Sequence, residues 1–79
     1  MQVSYDPTYN IAYIRLREKA ENVETIKISD ELSIDVAPDG RVCGLELMNA
    51  NEQLGINAKE PFQFINEKSH RKVELPLGI

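Results

Sequence analysis

The chain has 79 residues, of which 42% are hydrophobic, and a formal net charge of −4 at pH 7. A chain of this length forms one domain and buries only about 60% of the surface that its unfolded form exposes, so a partner or a second copy would add stability. Its acidic charge argues against nucleic acid as a partner, the absence of a long apolar run argues against a membrane, and its single cysteine excludes an internal disulfide.

Alternating apolar and polar residues predict an antiparallel sheet in the first two thirds of the chain. Val3 and Tyr5 begin an extended segment that ends at Asp6-Pro7. The segments that alternate with period two, which is typical of half-buried strands, are residues 11–17, 24–29, 32–36 and 42–48. We therefore expect apolar side chains such as Ile14, Ile34 and Leu45 beneath the sheet and charged side chains on its wet face.

The turn Pro38-Asp39-Gly40 makes residues 32–36 and 42–48 a hairpin. It places Val36 opposite Val42, but the same register would set Leu32 against Glu46 and bury a charge. One extra residue at Cys43-Gly44, both opposing Asp35, shifts the register and pairs Ile34 with Leu45. The sequence therefore predicts a β-bulge at this point, where a glycine is favoured.

The last third of the chain leaves two interpretations open. Asn49 followed by Glu52 resembles a capping box, which predicts a short helix through Leu54 that Gly55 ends. Pro61 is suited to the first turn of a second helix, although a strand through Phe62–Ile65 is the alternative. The alternating tail, residues 73–79, predicts an edge strand or an extended arm because Pro76 cannot donate to a ladder.

These elements predict an α+β fold. We expect a small antiparallel β-meander of four to six strands with one or two short helices in the C-terminal third. Residues 1–79 form a single domain, with 3–50 as the β-sheet core and 51–79 as a helical segment and extended tail.

The negative charge lies in the first half of the chain. Residues 1–40 carry four Lys/Arg and eight Asp/Glu, whereas residues 41–79 carry five of each. A basic protein surface is therefore the expected partner of the first half. The N-terminus has neither the basic region nor the apolar region of a secretory signal, so we expect a cytoplasmic protein with a protein partner or a homo-oligomer.

Several short motifs follow one another in a recognisable order. They are Tyr5-Asp6-Pro7, Ala12-Tyr13-Ile14-Arg15-Leu16, Ile34-Asp35-Val36, Asp39-Gly40-Arg41-Val42, Gly44-Leu45-Glu46-Leu47 and Asn49-Ala50. Over residues 3–50 this order resembles the small prokaryotic proteins grouped as domain of unknown function 2283. The family's usual Asp is Asn49 here, and its Gly-Ile-Glu-Ile strand reads Gly-Leu-Glu-Leu.

The resemblance implies a fold more than a function. It implies a β-meander with little helix and no established activity. It also implies a small accessory protein, because some members look like partners of toxin-like neighbours. Residues 51–79 lie outside the pattern, so it implies nothing about them.

Asp35 and Glu46 are the candidates for a paired-carboxylate site. The predicted register places Ser33 opposite Glu46 with Asp35 on the diagonal, and Tyr13 and Arg15 complete the patch if their strand is adjacent. Such a pair suits acid–base work or a divalent cation. A solvated charge network on an exposed face is the interpretation we favour.

Other reactive residue types have simpler explanations. His70 lies in the basic run 68–72 and is expected at the end of a helix, with no nucleophile to activate. Cys43 is expected to be a buried structural thiol, since the sequence predicts neither the nearby cation nor the helix N-terminus that a reactive thiol requires. Tyr5, Tyr9 and Tyr13 suit packing at the sheet edge.

The sequence therefore predicts a non-enzymatic protein-interaction or accessory module without a cofactor, a partner of a toxin-like neighbour being one form of it. A minimal metal-binding protein or enzyme that uses Asp35 and Glu46 is the alternative. The residues expected at an interaction surface are Tyr13, Arg15, Asp35, Glu46, Val73, Leu75 and Leu77.

Overall fold

The computed structural model describes residues 1–77. Five strands form one antiparallel sheet, in the order β1-β2-β5-β4-β3. They are β1 (Gln2–Asp6), β2 (Ile11–Arg15), β3 (Glu24–Ser29), β4 (Leu32–Val36) and β5 (Val42–Met48). A short helix, α1 (Ala50–Gln53), follows, and then a separate two-stranded sheet of β6 (Pro61–Asn66) and β7 (Arg71–Pro76).

The large sheet joins the β1–β2 hairpin to the β3–β4–β5 meander. The connection of residues 16–23 carries the chain from β2 to the far edge, so that β5 returns to pair with β2. The predicted antiparallel sheet is confirmed. The alternation of apolar and polar residues was sufficient to specify it because each strand presents one apolar face.

The predicted bulge is confirmed in register. Ile34 pairs with Leu45 and Asp35 with Gly44, whereas Val36 pairs with Val42, so Cys43 is the extra residue. The hairpin thereby keeps its apolar side chains on one face of the sheet without burying Glu46 among them.

The first predicted helix is confirmed, but its capping box is wrong, and it lies mid-chain. Asn49 adopts a left-handed conformation (φ 52°) and makes no side-chain cap hydrogen bond. Its side-chain nitrogen Nδ2 instead donates a hydrogen bond to Glu52 Oε2 at 2.9 Å and another to Glu31 Oε2 at 3.1 Å. The side chain of Asn10, in the β1–β2 turn, accepts a hydrogen bond from the Asn51 N–H at 2.8 Å. Gly55 (φ 65°) follows the helix, as predicted.

The second predicted helix is wrong. Pro61 begins β6, which pairs with β7, so the alternative interpretation of a strand through Phe62–Ile65 is confirmed. His70 lies in the turn between these strands with φ 60°, and not at the end of a helix. Residues 71–76 of the tail region form β7, and the last two residues of the predicted tail, 78–79, lie outside the described part of the chain.

The core of the protein is small. Within residues 1–77 the fully buried apolar residues are Ala12, Cys43 and Ala50. Ile14, Ile34 and Leu45, which the alternation placed beneath the sheet, are only half-buried. The strands are half-buried, as the alternation predicts, and a single chain leaves their apolar face partly exposed to solvent. No helix within the described residues is long and apolar enough to cross a membrane.

Candidate functional site

The polar face of the sheet carries a buried carboxylate. Asp35 is only 6% exposed. Its Oδ2 accepts a hydrogen bond from the Tyr13 hydroxyl at 2.8 Å, its Oδ1 accepts one from the Thr25 hydroxyl at 2.6 Å, and Lys19 Nζ lies 3.2 Å from Oδ2. We call these four residues the Asp35 cluster. The expectation that Asp35 lies on a solvated face is wrong, because its neighbours and the 16–23 connection cover it.

The strand register accounts for most of the Asp35 cluster. Thr25 pairs with Asp35 across β3 and β4, and Asp35 pairs with Gly44 across β4 and β5. Gly44 has no side chain, so the Tyr13 ring of β2 can lie over it and reach Asp35. A Cβ atom on Gly44 would overlap the Tyr13 hydroxyl and the Ile14 carbonyl oxygen. The glycine therefore serves the tyrosine as well as the bulge.

Lys19 comes from the irregular connection between β2 and β3. Its Nζ lies 5.4 Å from the centroid of the Tyr13 ring, a distance at which a cation is attracted to an aromatic face. One cation thus contacts both members of the Tyr13–Asp35 hydrogen bond. The 16–23 connection is tied to the polar face of the sheet by this contact.

The environment shifts the pKa of both acidic groups in the Asp35 cluster. Burial, the largest influence on Asp35, favours its neutral form, but hydrogen bonds from Thr25, Tyr13 and Lys19 oppose it, and the pKa of Asp35 is lowered. Burial, together with the hydrogen bond to the Asp35 carboxylate, raises the pKa of Tyr13 to about 12. Asp35 is therefore ionised and Tyr13 is a neutral donor at physiological pH.

This arrangement gives little room for chemistry at Asp35. Each of its carboxylate oxygens already has a partner within the protein. Glu46 pairs with Ser33 on one side and with Tyr13 on the other, so the predicted patch of neighbours exists. Among the residues that the structure describes, no three His, Cys, Asp or Glu side chains are grouped to hold a metal ion. The paired-carboxylate hypothesis stays a prediction that nothing in this geometry favours.

The residues expected at one interaction surface do not lie together. Tyr13, Asp35 and Glu46 share the polar face, and Arg15 is exposed at the end of β2. The tail residues Val73, Leu75 and Leu77 belong to the region of the second sheet. Cys43 is buried, as predicted.

Sequence reasoning missed two members of the Asp35 cluster. Thr25 required a second register shift to be inferred, because the short turn with Ser29 opposite Leu32 would by itself set Ile26 against Asp35. The shift between Lys27 and Ser29 pairs Ile26 with Ile34 and so places Thr25 opposite Asp35. Lys19 gave no signal, because it lies in a connection without periodicity.

The opposite face of the sheet carries a continuous apolar row. Each of the five strands contributes one residue to it, and each residue pairs with the next across the sheet. In order from β1 to β3 the row is Val3, Ile14, Leu45, Ile34 and Ile26. With strands about 4.8 Å apart, this row is about 19 Å long. Its two ends, Val3 and Ile26, are exposed.

The β6–β7 hairpin, which we call the arm, also has one apolar face. Phe62 pairs with Leu75 and Phe64 with Val73, so these four side chains share a face. The other face has Gln63 hydrogen-bonded to Glu74 at 3.1 Å and Lys72 3.0 Å from the same carboxylate. The arm is thus amphipathic, yet all of its residues are exposed.

The base of the arm meets the sheet around an apolar cavity of about 290 Å³. The residues that line it are Met1, Val3, Ile14 and Leu54 on one side and Phe62, Leu75 and Leu77 on the other. Phe64 and Val73, which do not line the cavity, are 63% and 60% exposed. We call the apolar row and the apolar face of the arm together the open surface.

The exposed surface area and the radius of gyration both agree with an incompletely covered apolar face. A compact monomer of 9.0 kDa exposes about 4,900 Å², whereas this chain exposes 6243 Å², roughly 1,350 Å² more. Its Cα radius of gyration is 14.1 Å, against about 11.6 Å for a compact domain of 79 residues. The chain is therefore more open than a single domain of its size.

A family match over residues 2–51 covers the sheet and the bulge and ends within α1. The chain belongs to the family described as protein of unknown function (DUF2283). The DUF2283 match includes the Asp35 cluster and the whole apolar row, and it ends before the arm. No curated protein and no solved structure matches the chain.

Proposed function

We propose that this DUF2283 protein is a non-enzymatic protein-interaction module whose docking surface is the open surface. The observation that carries the proposal is the apolar row, which crosses all five strands and is exposed at both ends. Monomeric proteins rarely expose a contiguous apolar patch of this kind unless a partner covers it. The excess of roughly 1,350 Å² is of the size that a protein partner buries.

The charge around the row defines the chemistry of the partner. Residues 21–31, which include the β3 edge, contain Glu21, Glu24, Asp30 and Glu31 but only one cation, Lys27. A complementary surface therefore has an apolar centre and basic residues at the end that meets β3. An accessory role beside another small protein, including a toxin-like one, is compatible with this surface.

The polar face supports the same proposal from the opposite side. The Asp35 carboxylate is held by three neighbours and is closed off by the connection that bears Lys19. The contacts of Asp35 are thus supplied within one chain. The open surface, by contrast, is the part of the protein that a second molecule would cover.

Methyl NMR with a soluble paramagnetic agent tests the proposal. In an extract of the native cells we expect the methyl groups of Val3, Ile26 and Val73 to be protected from the agent. Ile65 is 53% exposed on the other face of the arm and serves as the internal control, whose methyl groups should stay accessible. Equal accessibility of all four residues in the extract would contradict the proposal.

A further inference from the structure

The row and the arm have matching dimensions. The apolar row is about 19 Å long, and six residues of a strand extend about 20 Å. Phe62, Phe64, Val73 and Leu75 occupy one face over about 7 Å of that length, and Asn66 and Arg71 continue the same face toward the turn. A hairpin of this length therefore spans the row from one edge of the sheet to the other, with its apolar residues nearer its base and a basic residue nearer its turn.

The arm also has the charge that the β3 edge requires. Its turn and the start of β7 contain Lys68 and Arg71, against the single acidic residue Glu67, while Lys72 is paired with Glu74. Residues 21–31 have a net charge of −3, from four acidic residues and one lysine. The basic end of an arm and the acidic β3 edge are thus electrostatically complementary.

A chain does not use its own arm in this way. The base of the arm lies at the β1–β2 end of the row, where Phe62 and Leu75 line the cavity with Val3 and Ile14. Its distal residues Phe64 and Val73 remain exposed, as do Val3 beside the cavity and Ile26 at the other end of the row. Each chain therefore leaves both ends of its row and the distal half of its arm uncovered.

We propose that the occupant of the open surface is a second copy of this chain, and that the two copies exchange their arms. Phe64 and Val73 of one copy pack near Ile26 of the other, with the basic turn of the arm beside the acidic β3 edge. Because the exchange is reciprocal, it closes as a symmetric dimer. The excess surface of roughly 1,350 Å² per chain exceeds the ≈800 Å² per partner of a standard interface. This inference rests on the proposed function.

Sedimentation equilibrium of the full chain tests the dimer. We expect the wild-type protein to sediment with twice the 9.0 kDa mass of a single chain. Phe64→Glu should weaken the dimer about 30-fold or more, since it places a charge on an anchoring side chain. Ile65→Glu is the matched control, because it makes the same type of change one residue away on the other face of the same strand. It should sediment as the wild type does.

Disulfide trapping tests the exchange without relying on a lost contact. Chains bearing Ile26→Cys are mixed with chains bearing Phe64→Cys and oxidised. We expect a covalent dimer of one chain of each kind, and no such product when Ile65→Cys replaces Phe64→Cys. Circular dichroism of each variant establishes that it has the wild-type fold.

Three outcomes would overturn the inference. They are a wild-type protein at monomer mass over the whole concentration range, equal effects of Phe64→Glu and Ile65→Glu, and a dimer without the covalent product. If the wild type is a monomer in buffer while Val3, Ile26 and Val73 are protected in the cell extract, the interaction module stands and its partner is another protein. If these residues are accessible in both, the proposed function fails as well.

Discussion

On the polar face of the sheet, Asp35 and Ser33 are buried, whereas on the apolar face Val3 is 45% and Ile26 37% exposed. The difference follows from where the rest of the chain goes. The 16–23 connection brings Lys19 onto Asp35 of the polar face, whereas the arm meets the apolar row only around the cavity beside Val3 and Ile14 and leaves both ends of the row exposed. In this protein the contacts of Asp35 are supplied by its own chain, whereas the apolar row is left partly exposed by its own chain.

The comparison teaches how far a hydrophobic pattern can be interpreted. Alternation determines which face of a strand gains free energy by leaving water. It does not determine whether the same chain has enough residues to cover that face. In a small domain with a one-layer sheet, the apolar face is predicted correctly and still stays uncovered.

The largest expected effect tests whether the polar face is as tightly built as its contacts indicate. Gly44→Ala places a Cβ atom against the Tyr13 ring and the Ile14 carbonyl oxygen, so the ring must move away from Asp35. We expect a loss of about 3 kcal/mol in the free energy of unfolding, measured by urea denaturation at one protein concentration.

The matched control is Gly40→Ala in the β4–β5 turn. A Cβ atom there has nothing within 4 Å, but φ is 90°, so only backbone strain of about 1 kcal/mol is expected. If Gly44→Ala cost no more than Gly40→Ala, the Tyr13–Gly44 packing would not hold the polar face.

A smaller effect is expected at the carboxylate. Asp35→Asn keeps the shape of the side chain but removes the charge that Tyr13, Thr25 and Lys19 contact. We expect it to lower the free energy of unfolding by about 2 kcal/mol at neutral pH. Asp30→Asn, at a carboxylate that is 97% exposed, should leave the stability unchanged.

The pH dependence of this difference has a definite sign. The pKa of Asp35 is lower in the folded protein than its ordinary value of about 3.9 in an unfolded chain. Its stabilising contribution is therefore complete above about pH 4 and is lost as the pH falls through the folded-state pKa. The wild type and Asp35→Asn should converge in acid, and a constant difference down to acidic pH would contradict the assigned pKa shift.

The smallest expected effect concerns the connection that closes the polar face. Lys19→Ala removes an ion pair whose lysine is 59% exposed, so solvent screening limits the loss to about 0.5 kcal/mol. The loss should shrink further at high salt, as measured by urea denaturation with and without added NaCl. Lys27→Ala, which removes the fully exposed pair with Asp30, is the control and should have no measurable effect.

The sequence was sufficient to predict the register of the β4–β5 hairpin, where the turn and the apolar pattern conflicted. The Pro38–Gly40 turn and the apolar pattern required different registers, and only an extra residue at Cys43-Gly44 satisfied both. The buried thiol and the end of α1 at Gly55 also followed from local rules. These predictions depended on neighbours in sequence or on directly paired strands.

The errors arose where the deciding contact was distant in the chain. Asn49 has the sequence of a helix cap, but the side chain of Asn10 supplies a cap to the Asn51 N–H from 41 residues away. Phe62 and Ile65 fit a helix face, and the pairing with β7 made the segment a strand. Asp35 is buried because Tyr13 and Thr25 from two other strands and Lys19 from an irregular connection surround it.

At the base of the arm, where β6 begins and β7 ends, Pro61 pairs with Pro76. Neither residue has an amide hydrogen, so hydrogen bonding between the two strands stops at this rung. The hydrogen-bonded part of the arm is therefore bounded at Pro61 and Pro76, and none of the described strands of the large sheet pairs with it. The arm exchange that we propose would consequently leave the backbone hydrogen bonds within both sheets intact.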